Sequence, residues 1–278
     1  GTAKSNDVKL GTFFNDEIAG YFHIQKTFFK DVIFASGLRL EDNSNFGREW
    51  IPKVGLVYNV FSTTALRASS SKGFRTPSVK DLFLFPPANA DLQPERLWNY
   101  EVGFNQMLGN LASLDVTGYY YEGDQLIETV MIAPGQMQNQ NIGSNKARGI
   151  EVTLKANPFQ NFATNISYSY LDSDEIIPFS PNKLNLMFNY NYRGFDFNLY
   201  GELIRDLYAS YQKNQFPLKT TIEKLDDYTV MHFKARYQLS QQLQLAFGVE
   251  NILDEDYEIL KGYPMPGRTF YSKINFSF

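Results

Sequence analysis

Few side chains in this sequence could carry covalent chemistry. There is no cysteine, which removes disulfides, thiolate metal ligands and thiol nucleophiles. The two histidines, His23 and His232, stand far apart, without an H-E-x-x-H motif or any local set of partners for a zinc site or a triad. The densest carboxylates, Glu250, Asp254, Glu255 and Asp256, could hold a cation through oxygen ligands, but they read better as a solvated connection near the edge of a sheet. Beside them, Gly267 is expected to relax the backbone where a loop re-enters the sheet, and Arg268 to pair with an acidic neighbour. No catalytic residue, metal ligand or cofactor is assigned, and the chain reads as a non-enzyme. What remains is binding chemistry, for which flat aromatic rings and polar side chains are the suitable types.

The elements that must position these groups are strands. The last residues alternate, with Phe270, Ser272, Ile274, Phe276 and Phe278 on one face and Thr269, Tyr271, Lys273, Asn275 and Ser277 on the other. Leu184, Leu186, Phe188, Tyr190 and Tyr192 likewise oppose Asn185, Asn189 and Asn191, and Phe195, Phe197, Leu199 and Leu203 oppose Asp196, Asn198 and Glu202. Leu243, Leu245, Phe247 and Val249 oppose Gln242, Gln244 and Glu250. Between residues 229 and 239 the polar face carries His232, Lys234, Arg236 and Gln238, too wet for the core of a soluble sandwich and suited to a water-filled lumen. With 24 Phe and 18 Tyr, aromatics are plentiful enough to line membrane interfaces. No run approaches the roughly 20 apolar residues of a membrane-spanning helix, so a crossing would be made by strands. With 30 acidic against 26 basic residues, nucleic-acid binding has no support.

The segments read as roughly 13 strands whose connections alternate between short and long. Short turns are expected at residues 28–31, 61–63, 108–110, 157–161, 193–194 and 239–242. Long loops are expected at residues 43–50, 72–95, 131–144, 172–182, 205–227 and 253–267. Short turns on one rim and long loops on the other describe a transmembrane antiparallel β-barrel, with the long loops outside the cell.

Three motifs give this pattern a family. Val249-Glu-Asn-Ile-Leu-Asp-Glu-Asp-Tyr257, followed by Gly262-Tyr-Pro-Met-Pro-Gly-Arg-Thr-Phe270, resembles the closing segment of TonB-dependent outer-membrane receptors. Lys72-Gly-Phe-Arg-Thr-Pro-Ser78 with Asn89-Ala-Asp-Leu-Gln-Pro-Glu95 is similar to that family's Phe-Arg-Ala-Pro and Asn-Pro-Asn-Leu-x-Pro-Glu boxes. Asn141-Ile-Gly-Ser-Asn-Lys-Ala-Arg-Gly-Ile-Glu151 resembles the strand start that follows the next long loop. The resemblance covers nearly the whole chain and implies the C-terminal part of a barrel of about 22 strands that encloses a plug.

Several expectations follow from the resemblance. The N-terminal plug, its TonB box and the first strands are not in this sequence, so the chain is expected to be a partial one, continued by a separate N-terminal piece or cut from a longer protein. The partners implied are that missing part, a TonB energy-transducing complex, outer-membrane lipid and a small-molecule ligand, with room for a surface lipoprotein lid. The ligand contacts implied are aromatic and polar groups of the longer connections, whose flat rings could stack on a rigid ligand: Arg75, Phe83, Phe85, Gln136, Gln138, Tyr208, Tyr211, Phe216, Tyr257 and Tyr263. For each of them, anchoring at a membrane interface or packing between loops is the competing role. The location implied is the outer membrane of a Gram-negative bacterium. The function implied is energy-coupled import of a ferric siderophore or cobalamin. Haem ranks lower because residues 74–92 contain no histidine. The alternative is a passive porin-like or adhesin-like barrel.

Overall fold

The computed structural model describes residues 15–84, 86–174, 180–213 and 219–277. Its strands begin with β1 (Glu17–Phe28), β2 (Val32–Asn43), β3 (Gly47–Phe61) and β4 (Thr64–Arg75), followed by a short helix, α1 (Val79–Phe83). Next come β5 (Glu95–Leu108), β6 (Ala112–Ala133), β7 (Gln136–Ala156), β8 (Phe162–Ser173), β9 (Asn182–Tyr192) and β10 (Phe195–Arg205). The remainder is β11 (Tyr208–Lys213), β12 (Lys219–Lys224), β13 (Tyr228–Gln238), β14 (Leu243–Glu250), β15 (Glu258–Leu260), β16 (Tyr263–Pro264) and β17 (Thr269–Phe276). One sheet of 13 strands runs in the order β1 to β10, β13, β14, β17, while β11–β12 and β15–β16 form separate two-stranded hairpins. The strand number expected for the sheet is met, and the two extra hairpins lie in the long connections at residues 205–227 and 253–267.

Two of the expected long loops are corrected. Residues 43–50 are not a loop: β2 and β3 stay paired up to Asn43↔Gly47, leaving only residues 44–46 between them. Residues 131–144 are not a loop either, because β6 and β7 run on as strands to a tight turn at Pro134-Gly135, with Gly135 at φ +76°. Both segments mix polar and apolar residues without a regular period, so they carry no alternation by which a strand could be read. Among the short turns, Arg193-Gly194 joins β9 to β10 with positive φ at both residues (47° and 84°), the geometry whose twist matches a two-residue hairpin.

The chain divides into two compact units. In the first (Gly1–Val60, Leu66–Val102, Tyr119–Arg148) the registers Phe22↔Leu38↔Pro52, Ile24↔Ser36↔Val54, Lys26↔Phe34↔Leu56 and Phe28↔Val32↔Tyr58 place one apolar ladder on a single face. Tyr21↔Arg39↔Ile51, His23↔Gly37↔Lys53 and Ala19↔Glu41↔Glu49 occupy the other. An aromatic string, Trp50, Trp98, Tyr100 and Tyr120, has ring centroids 6.1 to 6.5 Å apart, as in an interfacial girdle.

In the second unit (Phe61–Ala65, Gly103–Gly118, Gly149–Phe278) the facing expected from the sequence is observed strand by strand. Phe188↔Leu199↔Phe233↔Val249↔Phe270 crosses five strands on one face, and Tyr190↔Phe197↔Ala235↔Phe247↔Ser272 runs beside it. The other face carries Asn185↔Glu202 and Asn191↔Asp196↔Arg236↔Ala246↔Lys273, tied across strands by Arg236 to Asp196 at 2.9 Å and by Lys183 to Glu202 at 2.6 Å. Near the Arg193-Gly194 turn, Phe195 stacks on Tyr237 at 4.3 Å and Tyr190 on Tyr192 at 6.2 Å. No helix among the described residues is long and apolar enough to cross a membrane.

Candidate ligand-binding loops

In the first unit, the described residues of the connection between β4 and β5 (76–84 and 86–94) form a loop with its own small core. Ser78 and Asp81 close a capping box: the Ser78 hydroxyl accepts the Asp81 N–H at 3.2 Å, and the Asp81 carboxylate accepts the Ser78 N–H at 2.9 Å. That starts the single turn of α1 and buries Leu82, at 5% exposure, while Leu92 (1%) and Pro94 are sealed farther along. The loop is closed at its root by Arg75, whose Nε and Nη2 reach the two carboxylate oxygens of Glu95 at 2.5 and 2.6 Å. Glu95 Oε1 also accepts the Ile127 N–H at 2.8 Å. Burial pushes the Glu95 carboxyl up, but the Arg75 guanidinium and the Ile127 N–H outweigh it and hold the group below its ordinary value. Asp81 is lowered in the same way, its burial outweighed by its Ser78 bonds and the Arg75 charge.

The loop is also sewn to the β6–β7 hairpin. Asn89 donates to the Asn139 carbonyl at 2.8 Å, and the Asn139 N–H donates to the Pro87 carbonyl at 2.6 Å. Asn141 behaves like an added strand partner: its Oδ1 accepts the Gln93 N–H at 2.7 Å, and its Nδ2 donates to the Gln93 and Gln125 carbonyls, both at 2.8 Å. Deeper in, Glu49 is gripped by Lys72 at 3.0 Å and by Arg96, whose guanidinium also reaches Gln125. The Lys72 ammonium lies 5.2 Å over the Trp50 ring.

In the second unit, a separate apolar cluster of Ile204, Leu207, Ala209, Leu225, Tyr228 and Val230 forms at the base of the β11–β12 hairpin, with Tyr257 against it. The Tyr257 and Tyr228 rings lie 4.5 Å apart. The turn that leads into the hairpin is fixed by Arg205, which donates to the Ile204 and Tyr228 carbonyls at 2.9 Å, and by the Lys224–Asp206 pair at 2.6 Å. Tyr228, Tyr200 and Lys183 converge on Glu202. A cleft of about 470 Å³ opens between Asp226, Asp256, Tyr257, Glu258, Pro264 and Met265.

The closing motif is a knot of backbone contacts. Asn251, 2% exposed and at φ 50°, accepts the Glu255 N–H at 2.9 Å and donates to the Glu255 and Pro266 carbonyls. Asp254 accepts the Arg268 N–H at 2.7 Å, and a Cβ on Gly267 would stand 3.0 Å from that carboxylate, which accounts for the glycine. The expected pairing of the Arg268 guanidinium with an acid is corrected: its Nε donates to the Ile252 carbonyl at 2.9 Å, while Asp254 serves the backbone. Among the described residues, no group of His, Cys, Asp and Glu is arranged to hold a metal ion.

The sequence-derived contact residues are thus distributed over two regions. Arg75 ends β4 and is engaged by Glu95, while Phe83 ends α1 and is half-buried. Gln136 and Gln138 belong to strand β7 rather than to a loop, Gln136 exposed and Gln138 accepting from Gln140. Tyr208 starts β11, Tyr211 pairs with Thr221 in the same hairpin, Tyr257 is half-buried on Tyr228, and Tyr263 in β16 is 68% exposed. Phe85, Phe216 and the side chain of Tyr211 lie outside the described residues. Sequence reading missed Glu95, Asn139 and Asn141 as organisers of the first region, although Glu95 and Asn141 sit inside the quoted boxes.

A family model described as the TonB-dependent receptor-like β-barrel matches residues 6–252. The vitamin B12 transporter BtuB of Photobacterium profundum is 27% identical over 266 residues, covering 89% of this chain and 41% of the relative. BtuB of Vibrio vulnificus is 24% identical, covering 92% and 42%. The chain therefore spans about two-fifths of the length of these curated relatives. Among solved structures, the siderophore receptor PirA from Acinetobacter baumannii superposes with a TM-score of 0.79 at 17% identity, over 98% of this chain and 47% of that one. The copper transporter OprC gives 0.75 at 17% identity, over 95% and 47%. At that identity the likeness is one of fold: an all-β antiparallel receptor barrel.

Proposed function

Because this chain belongs to the TonB-dependent receptor-like β-barrel family, we propose that it forms the C-terminal part of the barrel wall of an outer-membrane receptor that imports a scarce nutrient by energy-coupled transport. One observation carries the reading: apolar ladders five strands wide lie on one face of the sheet, and the opposite face is laced with ion pairs. Lipid on the first side and a polar interior on the second satisfy both faces at once. The short coverage of the relatives supports an N-terminal plug and further strands that complete the wall, with a TonB complex supplying energy from the other side of the membrane.

A corrinoid of the cobalamin type is the ligand we rank first and a ferric siderophore second. The curated relatives at 27% and 24% identity are named for vitamin B12 transport. Within the first unit, the capped and hydrogen-bonded loop around α1 offers a preorganised surface to a rigid macrocycle; within the second, the apolar base of the β11–β12 hairpin is a separate candidate surface.

The test is uptake by the full-length protein in a Gram-negative strain stripped of its own cobalamin and siderophore receptors. Labelled cyanocobalamin should accumulate only with an intact TonB system, and a ferric siderophore should do so less or not at all. Accumulation of neither, with the protein correctly inserted, would remove the reading. Steady ion conductance by the full-length protein in planar bilayers would favour a passive porin instead.

A further inference from the structure

Two of the sequence segments that carry the family resemblance, 89–95 and 141–151, meet in space at Gln93 and Asn141. Three residues of the 89–95 box, Asn89, Gln93 and Glu95, each contact the β6–β7 hairpin: Asn89 at the Asn139 carbonyl, Gln93 at the Asn141 side chain and Glu95 at the Ile127 N–H. The contacts bridge 32 to 50 positions of sequence. Glu95 differs from the other two because it also holds the opposite root of the loop, through Nε and Nη2 of Arg75. One carboxylate thus joins three pieces: the end of β4, the start of β5 and the backbone of β6.

We propose that Glu95 is the positioning residue for the 76–94 loop, a latch that sets Pro87, Asn89 and Gln93 against the β6–β7 hairpin, with Asn141 as the second fastening. The proposal rests on the reading that these loops hold the ligand, and it assigns Arg75 to the latch. The geometry is specific to a carboxylate. Arg75 needs two acceptor atoms side by side, and one of them must also face the Ile127 N–H, so a single negatively charged fork completes every bond. The Glu95 side chain is 14% exposed, which shields these bonds from water, whereas Arg75 at 57% is more open. Fixing the loop in advance removes an ordering step from ligand capture, and that lowers the rate at which bound ligand escapes.

The experiment uses the full-length receptor in detergent micelles and reads amide hydrogen exchange at Leu82, Asn89, Gln93, Ile127 and Asn139, each of whose N–H groups is bonded in or against the loop. Glu95→Ala should speed exchange at these amides by about tenfold or more, the scale of a lost charge-assisted bond, while the receptor stays folded by heat-modifiability on a gel. Glu95→Gln should do so less, because one amide oxygen still accepts from Ile127. The charge-swapped pair, Arg75→Glu with Glu95→Arg, is decisive. It restores opposite charges but leaves the Ile127 N–H without an acceptor, so Ile127 should remain fast. Unchanged exchange in Glu95→Ala, or full recovery of Ile127 in the swapped pair, overturns the latch and leaves a surface ion pair. Asn141→Ala should loosen Gln93 alone. With cyanocobalamin as probe, dissociation should quicken in step with loop exchange, and a dissociation rate unmoved by Glu95→Ala would overturn the positioning role. The exchange measurements need no ligand, so they decide the latch even for a receptor that takes up neither corrinoid nor siderophore.

Discussion

Replacing Phe247 with arginine tests the assignment of faces that underlies the functional proposal. Phe247 is 46% exposed, stands directly opposite Ala235 and Ser272, and has its ring 6.5 Å from Phe270. The four steps from Leu243 to Phe247 advance about 14 Å along the strand and, at a tilt of about 40°, about 10 Å across the bilayer, close to the middle of an apolar band about 25 Å tall. A guanidinium at that depth should lower folding stability by about 2–4 kcal/mol. Gln244 is on the other face of the same strand, bonded to Gln238 at 3.0 Å and accepting from Asn275 at 3.2 Å. Gln244→Arg gives up these partly exposed bonds while staying in a polar setting, a loss of about 1 kcal/mol or less. Urea titrations of the full-length receptor refolding into short-chain phosphatidylcholine vesicles measure both. Equal losses, or a larger one for Gln244→Arg, would refute the facing and with it a lipid-exposed wall.

Three further outcomes follow from local geometry. A Cβ at Gly248 would stand 2.2 Å from the Tyr271 ring that covers it, so Gly248→Ala should displace that ring and lose about 1–3 kcal/mol in the same refolding assay, with Tyr271→Ala in the double variant removing most of the additional loss. Asn251→Ala strips three bonds from a side chain buried in the closing knot and should lose about 2–3 kcal/mol in that assay; a neutral result would mean the knot adds nothing to folding. Acid should release the 76–94 loop: Glu95 and Asp81 have folded-state values below their ordinary ones, so the stability they add is complete above about pH 4.3 and is lost as pH falls through their lowered values. Pepsin cleavage within residues 76–94 should therefore rise only below that pH, and cleavage that is constant from pH 5 to pH 2 would contradict the shift.

Much of the wall was legible from single residues. The alternation through residues 184–203 and 243–249 gave the correct face for each strand, because side-chain direction repeats every two residues wherever the backbone is extended. The Arg193-Gly194 turn was legible for the same local reason, a glycine able to take positive φ at a break between two alternating runs. The ends of β2 and β3 and of β6 and β7 were misread as loops because their polar and apolar residues do not alternate regularly, so extended chain there has no period to display.

The candidate loops divide along the same line. Their aromatic and amide composition marked them as candidate binding surfaces, and the boxes at 72–78, 89–95 and 141–151 carried the family resemblance. That Arg75 answers to Glu95, that Asn141 grips the Gln93 backbone from 48 positions away and that Tyr257 closes an apolar cluster under a hairpin are outcomes of tertiary structure. The sequence by itself determined which face of each strand is apolar, since that depends only on neighbours one and two residues away. Tertiary structure alone decided which polar side chains are already committed to one another, since a hydrogen bond between distant segments exists only after the sheet has brought them within about 3 Å.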